Sequence, residues 1–142
     1  MKHTRREMTA LAAAVLLARG KAGAAEGAKL PTAVLNRDEF SVTKSNQALQ
    51  RKYFNGVTHE NLPVEVHETE LPPGEAPHPA HTHVHEEMAV VIAGTLEVFI
   101  EGRGTKKLTA GGLVYVASGE LHGWKNTGST PARYLVIAIG HD

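Results

Sequence analysis

The segment from His81 to Glu87 concentrates side chains that bind metals, and its sequence reads HTHVHEE. On an extended chain, residues two positions apart point to the same side. His81 and His83 can therefore direct their imidazoles to a common point, to which Glu87 returns after a short irregular step. Imidazole nitrogens with one carboxylate suit Mn, Fe, Ni, Zn or Cu better than Ca or Mg. Taken alone, the segment would also fit a histidine-rich surface loop without a metal, so the spacing of other residues must decide.

Two spaced motifs give this segment a context. Three residues separate His83 from Glu87, and six separate Glu87 from Gly94. A second set follows at Gly111, Gly119, His122 and Asn126. In these residues, together with His81, the chain resembles the cupin superfamily, whose members carry two motifs with this spacing.

The resemblance implies both a fold and a ligand set. The fold is all-β, a double-stranded β-helix that is also described as a cupin or jelly-roll barrel. The implied ligands of one divalent transition metal are His81, His83, Glu87 and His122. In this family the residue at the position of Asn126 generally supports the barrel and not the metal.

The departures from the family pattern lie outside the ligands. Six residues separate Gly74 from the first histidine where the pattern has five, and Ala117 stands where the second motif has proline. Both changes affect turn geometry. A frame that used His83 and His85 as the histidine pair would put an apolar residue, at position 89 or 90, where the carboxylate is needed. The frame that begins at position 81 is therefore the one expected to bind.

Several side chains near the motifs have two interpretations. His85 is expected outside the ligand set, as a rim residue or as a contact to a ligand or substrate. Glu86 has the opposite parity to the ligand carboxylate and is expected to face away or to pair with a base. His78, between prolines, fits a loop at the opening or a contact to metal or substrate. Trp124 fits either packing or the lining of the cavity, and His67 fits a solvent-facing position or a subunit contact. No residue is assigned a catalytic role.

Composition limits the classes of protein that fit. The chain has 142 residues, enough for one ordinary domain and too few for two well-buried ones. A formal net charge of zero, with 21% charged and 42% apolar residues, is typical of a globular protein and gives no reason to expect a nucleic-acid partner. Cysteine is absent, which excludes disulfides and thiolate ligands.

The first residues have the layout of an export signal. A basic start is followed by an apolar run and a small-residue end, which predicts a signal peptide at residues 1–24. The pair Arg5 and Arg6 resembles a twin-arginine leader, with a general secretory leader or an amphipathic helix as alternatives. The apolar run is about half of the ~20 residues that a membrane anchor needs, so no stable anchor is expected. The expected location is the periplasm or the exterior.

The remaining sequence predicts a barrel of short strands. Residues 25–45 are expected to be a linker with N-terminal strands, and residues 46–142 the barrel domain. In the run from Thr95 to Glu101, Leu96, Val98 and Ile100 share one parity, as in a half-buried strand. Residues 72–79 are rich in proline and must form a loop. Strands are expected near residues 33–36, 40–43, 49–54, 64–71, 88–93, 96–101, 113–117, 124–127 and 132–139.

Three functions fit this site. The superfamily that the chain resembles includes dioxygenases, isomerases, lyases and decarboxylases, so the first hypothesis is an exported metalloenzyme acting on a small molecule. A non-catalytic module that binds metal or a small ligand is the alternative, because no second acid, base or nucleophile is evident near the motifs. A barrel with relic histidines is the third. A homodimer is expected because open sheet edges need protection.

Overall fold

The computed structural model describes residues 29–141, so the predicted signal peptide lies outside the described residues. Within this range the chain forms one 3₁₀ helix, Arg37–Glu39, and nine strands. The strands are β1 (Thr43–Ser45), β2 (Ala48–Val57), β3 (Pro63–Leu71), β4 (Glu86–Ala93), β5 (Thr95–Ile100), β6 (Gly104–Thr109), β7 (Leu113–Val116), β8 (His122–Asn126) and β9 (Ala132–Ile139). None of the helices in the described range is long and apolar enough to cross a membrane.

The strands form two antiparallel sheets. The larger sheet has the order β1-β2-β3-β9-β4-β7, and the smaller has the order β6-β5-β8. The last strand, β9, lies between β3 and β4, and β8 returns to pair with β5. Strands distant in sequence therefore lie side by side, as in a jelly roll. The predicted all-β jelly-roll fold is confirmed.

Alternating side chains fill the space between the sheets. In β5, Leu96 and Val98 are buried and Glu97 is not, as the period of two predicts. Leu71 and Val91 of the larger sheet belong to the same cluster of buried side chains. A residue at one of the inward-facing positions of a strand can therefore reach the interior of the barrel, where any cavity would lie.

Asn126 joins three parts of the chain beneath the predicted site. Its buried side-chain amide donates hydrogen bonds to the carbonyl oxygens of Leu71 at 2.9 Å and Thr130 at 2.8 Å. Its backbone oxygen accepts from Gly74 N at 2.8 Å, and its backbone N–H donates to Glu75 O at 2.9 Å. These bonds fix the start of the proline-rich loop against β8. Asn126 supports the barrel, as the sequence comparison implied.

The buried carboxylate of Glu68 holds the segment that contains the 3₁₀ helix against the outer face of the larger sheet. Glu68 of β3 is 3% exposed and accepts hydrogen bonds from Arg37 Nε at 2.9 Å and Arg51 Nη1 at 3.3 Å. Arg133 Nε lies 3.9 Å from the other oxygen of Glu68. Because Arg37 belongs to the 3₁₀ helix, a side-chain ion pair holds this segment in place.

Three strand assignments differ from the sequence prediction. Residues 33–36 form no strand, and of residues 40–43 only Thr43 does, as the first residue of β1. The 3₁₀ helix lies between these two segments and is held by the ion pair to Glu68. Strand β6 was not expected. It pairs with β5 along one edge, and only Leu108 among its side chains is partly buried, so its sequence carries no alternating pattern.

Gly94→Ala is expected to destabilise the barrel strongly. Gly94 has φ +78°, and a Cβ there would lie 2.7 Å from both Ala132 Cα and Pro131 O. We expect the free energy of unfolding to fall by roughly 3 kcal/mol, from a strained backbone and from overpacking. Gly102→Ala is the matched control, since its φ is +72° and a Cβ would meet nothing within 4 Å. Urea unfolding that gave equal losses for both variants would contradict the close approach.

Candidate metal centre

A backbone bridge brings together the two halves of the predicted ligand set. His81 lies in the loop before β4 and forms an isolated antiparallel bridge with His122, the first residue of β8. The bridge has two hydrogen bonds, from His81 N to His122 O at 2.9 Å and from His122 N to His81 O at 3.0 Å. Next to it, a Cβ on Gly123 would lie only 3.2 Å from Ala80, so glycine permits this close contact. The loop is therefore pressed against the strand that carries the last ligand.

Three of the four predicted ligands lie together, and the fourth, Glu87, contacts one of them. His81, His83 and His122 each offer a ring nitrogen within 4.8 Å of the others. Glu87, on β4, is 9% exposed, and its Oε2 lies 3.2 Å from His83 Nε2. His122 is completely buried. The structure thus brings together residues from both motifs.

Backbone carbonyl groups orient two of the imidazoles. His83 Nδ1 lies 2.7 Å from His85 O, and His122 Nδ1 lies 2.9 Å from Glu120 O. A carbonyl only accepts, so these contacts assign the proton to Nδ1 and leave the Nε2 lone pair of each ring free. Both Nε2 atoms are buried and have no hydrogen-bond partner.

The donor set fits a divalent metal. Besides the two Nε2 atoms, His81 Nδ1 is also buried without a hydrogen-bond partner. Buried polar atoms are normally satisfied, and ligating histidines typically donate their other N–H to a carbonyl. Burial, followed by the neighbouring imidazoles, lowers the pKa of His81 to about 4, so that ring is neutral at neutral pH and keeps a lone pair on one ring nitrogen. A transition metal is the cation that this set of nitrogen and carboxylate donors suits.

His85 is a polar residue that lies close to the carboxylate of Glu87. Its ring stacks on His83 with centroids 3.8 Å apart, and its Nε2 lies 3.8 Å from Glu87 Oε2. A ring nitrogen of His85 is within 4.8 Å of ligand atoms of His83 and Glu87. The exclusion of His85 from the ligand set stays a prediction. Glu86 is exposed and bonds to the side chain of Tyr115, so it faces away from the site as expected.

A cavity of about 140 Å³ lies beside Glu87, the predicted ligand among its lining residues. It is lined by Ser45, Asn46, Gln50, His67, Thr69, Pro77, His78, Glu87, Trp124, Tyr134 and Val136. Trp124 both packs in the core and lines this space. His78 is exposed at the rim, with its ring edge-on to His81 at 4.3 Å between centroids. His67 lines the cavity, where the sequence suggested a solvent-facing or subunit-contacting residue.

Tyr134 is a cavity residue that the sequence analysis did not single out. The Trp124 Nε1–H group donates a hydrogen bond to its hydroxyl oxygen at 3.1 Å. Burial raises the pKa of Tyr134 to about 12, against the hydrogen bonds of Trp124 and Thr69, which lower it. The phenol is therefore uncharged at neutral pH. Its place in the alternating pattern of β9 indicated an inward-facing side chain. That this side chain lines the cavity could not be predicted, because the position of β9 beside β4 depends on long-range pairing.

The comparisons with known proteins agree with this geometry. A family model described as "Cupin domain" matches residues 67–138. A solved RmlC-like cupin from Shewanella frigidimarina is 18% identical with a TM-score of 0.64, and the match covers 78% of this chain and 93% of that one. For the polyketide cyclase RemF from Streptomyces resistomycificus, the identity is 20%, the TM-score 0.61 and the coverage 78% and 81%.

One similar structure has a higher identity over a shorter region. The DMSP lyase DddQ from Ruegeria pomeroyi is 30% identical with a TM-score of 0.50, and the match covers 54% of this chain and 38% of that one. The likenesses below 25% identity concern the fold alone. Among curated proteins, none matches this chain.

Tyr134→Phe is expected to flatten the loss of stability at alkaline pH. The folded pKa is raised from 10.0 to about 12, so the contribution of Tyr134 is complete below pH 10 and is lost as the pH rises toward 12. Over this range the wild type should lose roughly 3 kcal/mol more than the variant. Urea unfolding on either side of the window measures the difference. Tyr115→Phe should keep most of the wild-type loss, because solvent screens the hydrogen bond to Glu86 that raises the pKa of this exposed tyrosine. An equal loss in Tyr134→Phe would contradict the assignment.

Proposed function

The chain belongs to the cupin family, and from this premise we propose that it is a metal-dependent enzyme acting on a small molecule. In this proposal His81, His83, Glu87 and His122 hold one divalent transition metal of the Mn, Fe, Ni, Zn or Cu group. The reaction would be of the dioxygenase, isomerase, lyase or decarboxylase type. The observation that carries the proposal is the convergence of three buried ring nitrogens, none with a hydrogen-bond partner, next to a buried carboxylate.

The protein side chains would divide the work of the site. When bound, the metal supplies a Lewis acid with coordination positions open to a substrate. The carboxylate of Glu87 offsets part of the positive charge, and the carbonyl contacts of His83 and His122 hold their rings in one orientation. Tyr134 and Trp124 form a wall joined by a hydrogen bond, which positions a neutral hydroxyl group at the cavity. In this proposal these groups orient the substrate.

The cavity sets the class of substrate. A space of ~150 Å³ accepts a molecule of the size of benzene, so the cavity of about 140 Å³ suits a compact organic molecule. Its lining combines hydroxyl, amide and imidazole groups with the apolar faces of Trp124 and Val136. A small, oxygenated molecule fits this mixture. The presence of a lyase and a cyclase among the similar structures supports an enzyme in a barrel of this kind.

Location and assembly belong to the same proposal. The basic and apolar pattern of residues 1–24 supports export to the periplasm or the exterior. Strand β7 ends the larger sheet, and its Leu113 and Tyr115 are 56% and 49% exposed. An exposed apolar edge strand favours pairing with a second copy, so a homodimer is proposed.

Protein purified without a histidine tag is expected to carry about one transition metal per chain, measured by mass spectrometry, as in other sites with this ligand number. His122→Ala and Glu87→Gln should each remove most of it, because they take away a buried ligand. His59→Ala is the matched control, since His59 is exposed in the turn between β2 and β3. Wild-type protein that stays metal-free after reconstitution would contradict the proposal. Stoichiometric metal with no turnover of small oxygenated substrates would favour the alternative, a non-catalytic binding module.

A further inference from the structure

A carboxylate and an imidazole form a pair on the cavity side of β3. His67 Nδ1 lies 3.1 Å from Glu65 Oε1, and Asn55 Nδ2 donates a hydrogen bond to the other carboxylate oxygen at 3.0 Å. The hydrogen bond to His67 is the largest influence on the pKa of Glu65 and lowers it, against burial, which raises it. A carboxylate accepts, so the contact places a proton on His67 Nδ1. The Nε2 of a neutral His67 is then a proton acceptor in a ring that lines the cavity.

The strand register places this pair in the same sheet as the proposed ligand Glu87, two strands away. Strand β9 lies between β3 and β4, where Glu65 and Glu87 both pair with Ala138. In the next inward row, His67 and Ala89 both pair with Val136. Glu65 and Glu87 are thus two strand spacings apart, roughly 10 Å across the sheet. The small side chains between them leave room for a ligand that reaches both groups.

Apart from Glu87, which is a ligand in the proposed metal site, the other cavity residues are weaker candidates for accepting a proton. Tyr134 has its pKa raised to about 12 by burial and so keeps its proton at neutral pH. The remaining hydroxyl and amide groups of the lining are not bases in this range. His78 has no carboxylate partner among the described contacts, and its Nδ1 contacts the adjacent Pro79 O at 3.0 Å. Lys52 is the residue directly opposite His67 on β2, and its side chain is exposed.

We propose that Glu65 and His67 are the proton-accepting pair of this cavity, and that its ligand is a small molecule with an acidic O–H group. The inference rests on the proposed metal site. On binding, the O–H bond of the ligand breaks and its electron pair stays on oxygen, which becomes the anionic donor. The proton forms a bond with His67 Nε2, and the resulting imidazolium is stabilised by the Glu65 carboxylate. Glu65 is a positioning residue, since it acts through His67.

The test uses the full chain loaded with Zn²⁺ and acetohydroxamic acid as the probe. This small acid is neutral in water near pH 7 and chelates metals as an anion, so each binding event transfers one proton. Calorimetric titrations in buffers of different ionisation enthalpy count the protons that reach the buffer. The wild type should release close to none per bound probe, and His67→Gln should release about one, because glutamine has no basic nitrogen.

Two further variants make the result specific. Glu65→Gln keeps the imidazole but removes its partner, so it should bind the probe about tenfold more weakly, as expected for a lost hydrogen bond to a charged group. This variant carries the test if His67→Gln does not fold. His59→Gln, at an exposed turn position outside the cavity lining, should behave as the wild type. Unchanged release in His67→Gln with unchanged affinity in Glu65→Gln, or an equal change in His59→Gln, would overturn the pair. A wild type that binds neither Zn²⁺ nor the probe would overturn the proposed metal site itself.

Discussion

Three buried ring nitrogens that lack hydrogen-bond partners are the costly feature around which the structure is arranged. A polar group left unsatisfied in a protein interior costs roughly 1–3 kcal/mol, and His83 Nε2 also lies 3.2 Å from an oxygen of the buried Glu87 carboxylate. The cost is tolerated because other bonds hold the rings in place. His83 and His122 are each fixed through the other ring nitrogen by a backbone carbonyl. In each of these two rings, Nδ1 is therefore held by a carbonyl oxygen, and Nε2 remains available as a ligand atom.

The same arrangement depends on a support that never touches a ligand. Asn126 links the end of β3, the start of the proline-rich loop and the loop after β8 through four hydrogen bonds. The bridge between His81 and His122 then sets the distance between the two motifs. On the opposite face of β3, Glu68 holds Arg37 and Arg51, which leaves the inward face of that strand for Glu65, His67 and Thr69. Because side chains alternate along β3, one face of this strand carries the outer ion pairs and the other faces the cavity.

Features set by local interactions could be predicted from the sequence, and features set by long-range interactions could not. The β5 pattern and the gathering of His81, His83 and His122 were predictable, since periodicity and motif spacing are local signals. The place of His67 in the cavity was not, because the partners of β3 are set by strands far along the chain. The strand expected at 33–36 and most of that expected at 40–43 are missing for the same reason: a side-chain ion pair to Glu68, invisible in the local pattern, holds that segment. Strand β6 has little buried surface and left no trace in the hydrophobic pattern.

If His81, His83, Glu87 and His122 hold a metal as proposed, their order along the chain has a consequence for how the protein would acquire it. Three of them lie between His81 and Glu87, so the unfolded polypeptide already presents them as one short chelating peptide. The fourth, His122, joins only after the strands between have paired. Metal bound before folding would count toward the unfolded state, and affinity for that state reduces the stability that a metal confers. The final histidine is therefore what distinguishes the native protein from its nascent chain in the competition for the ion.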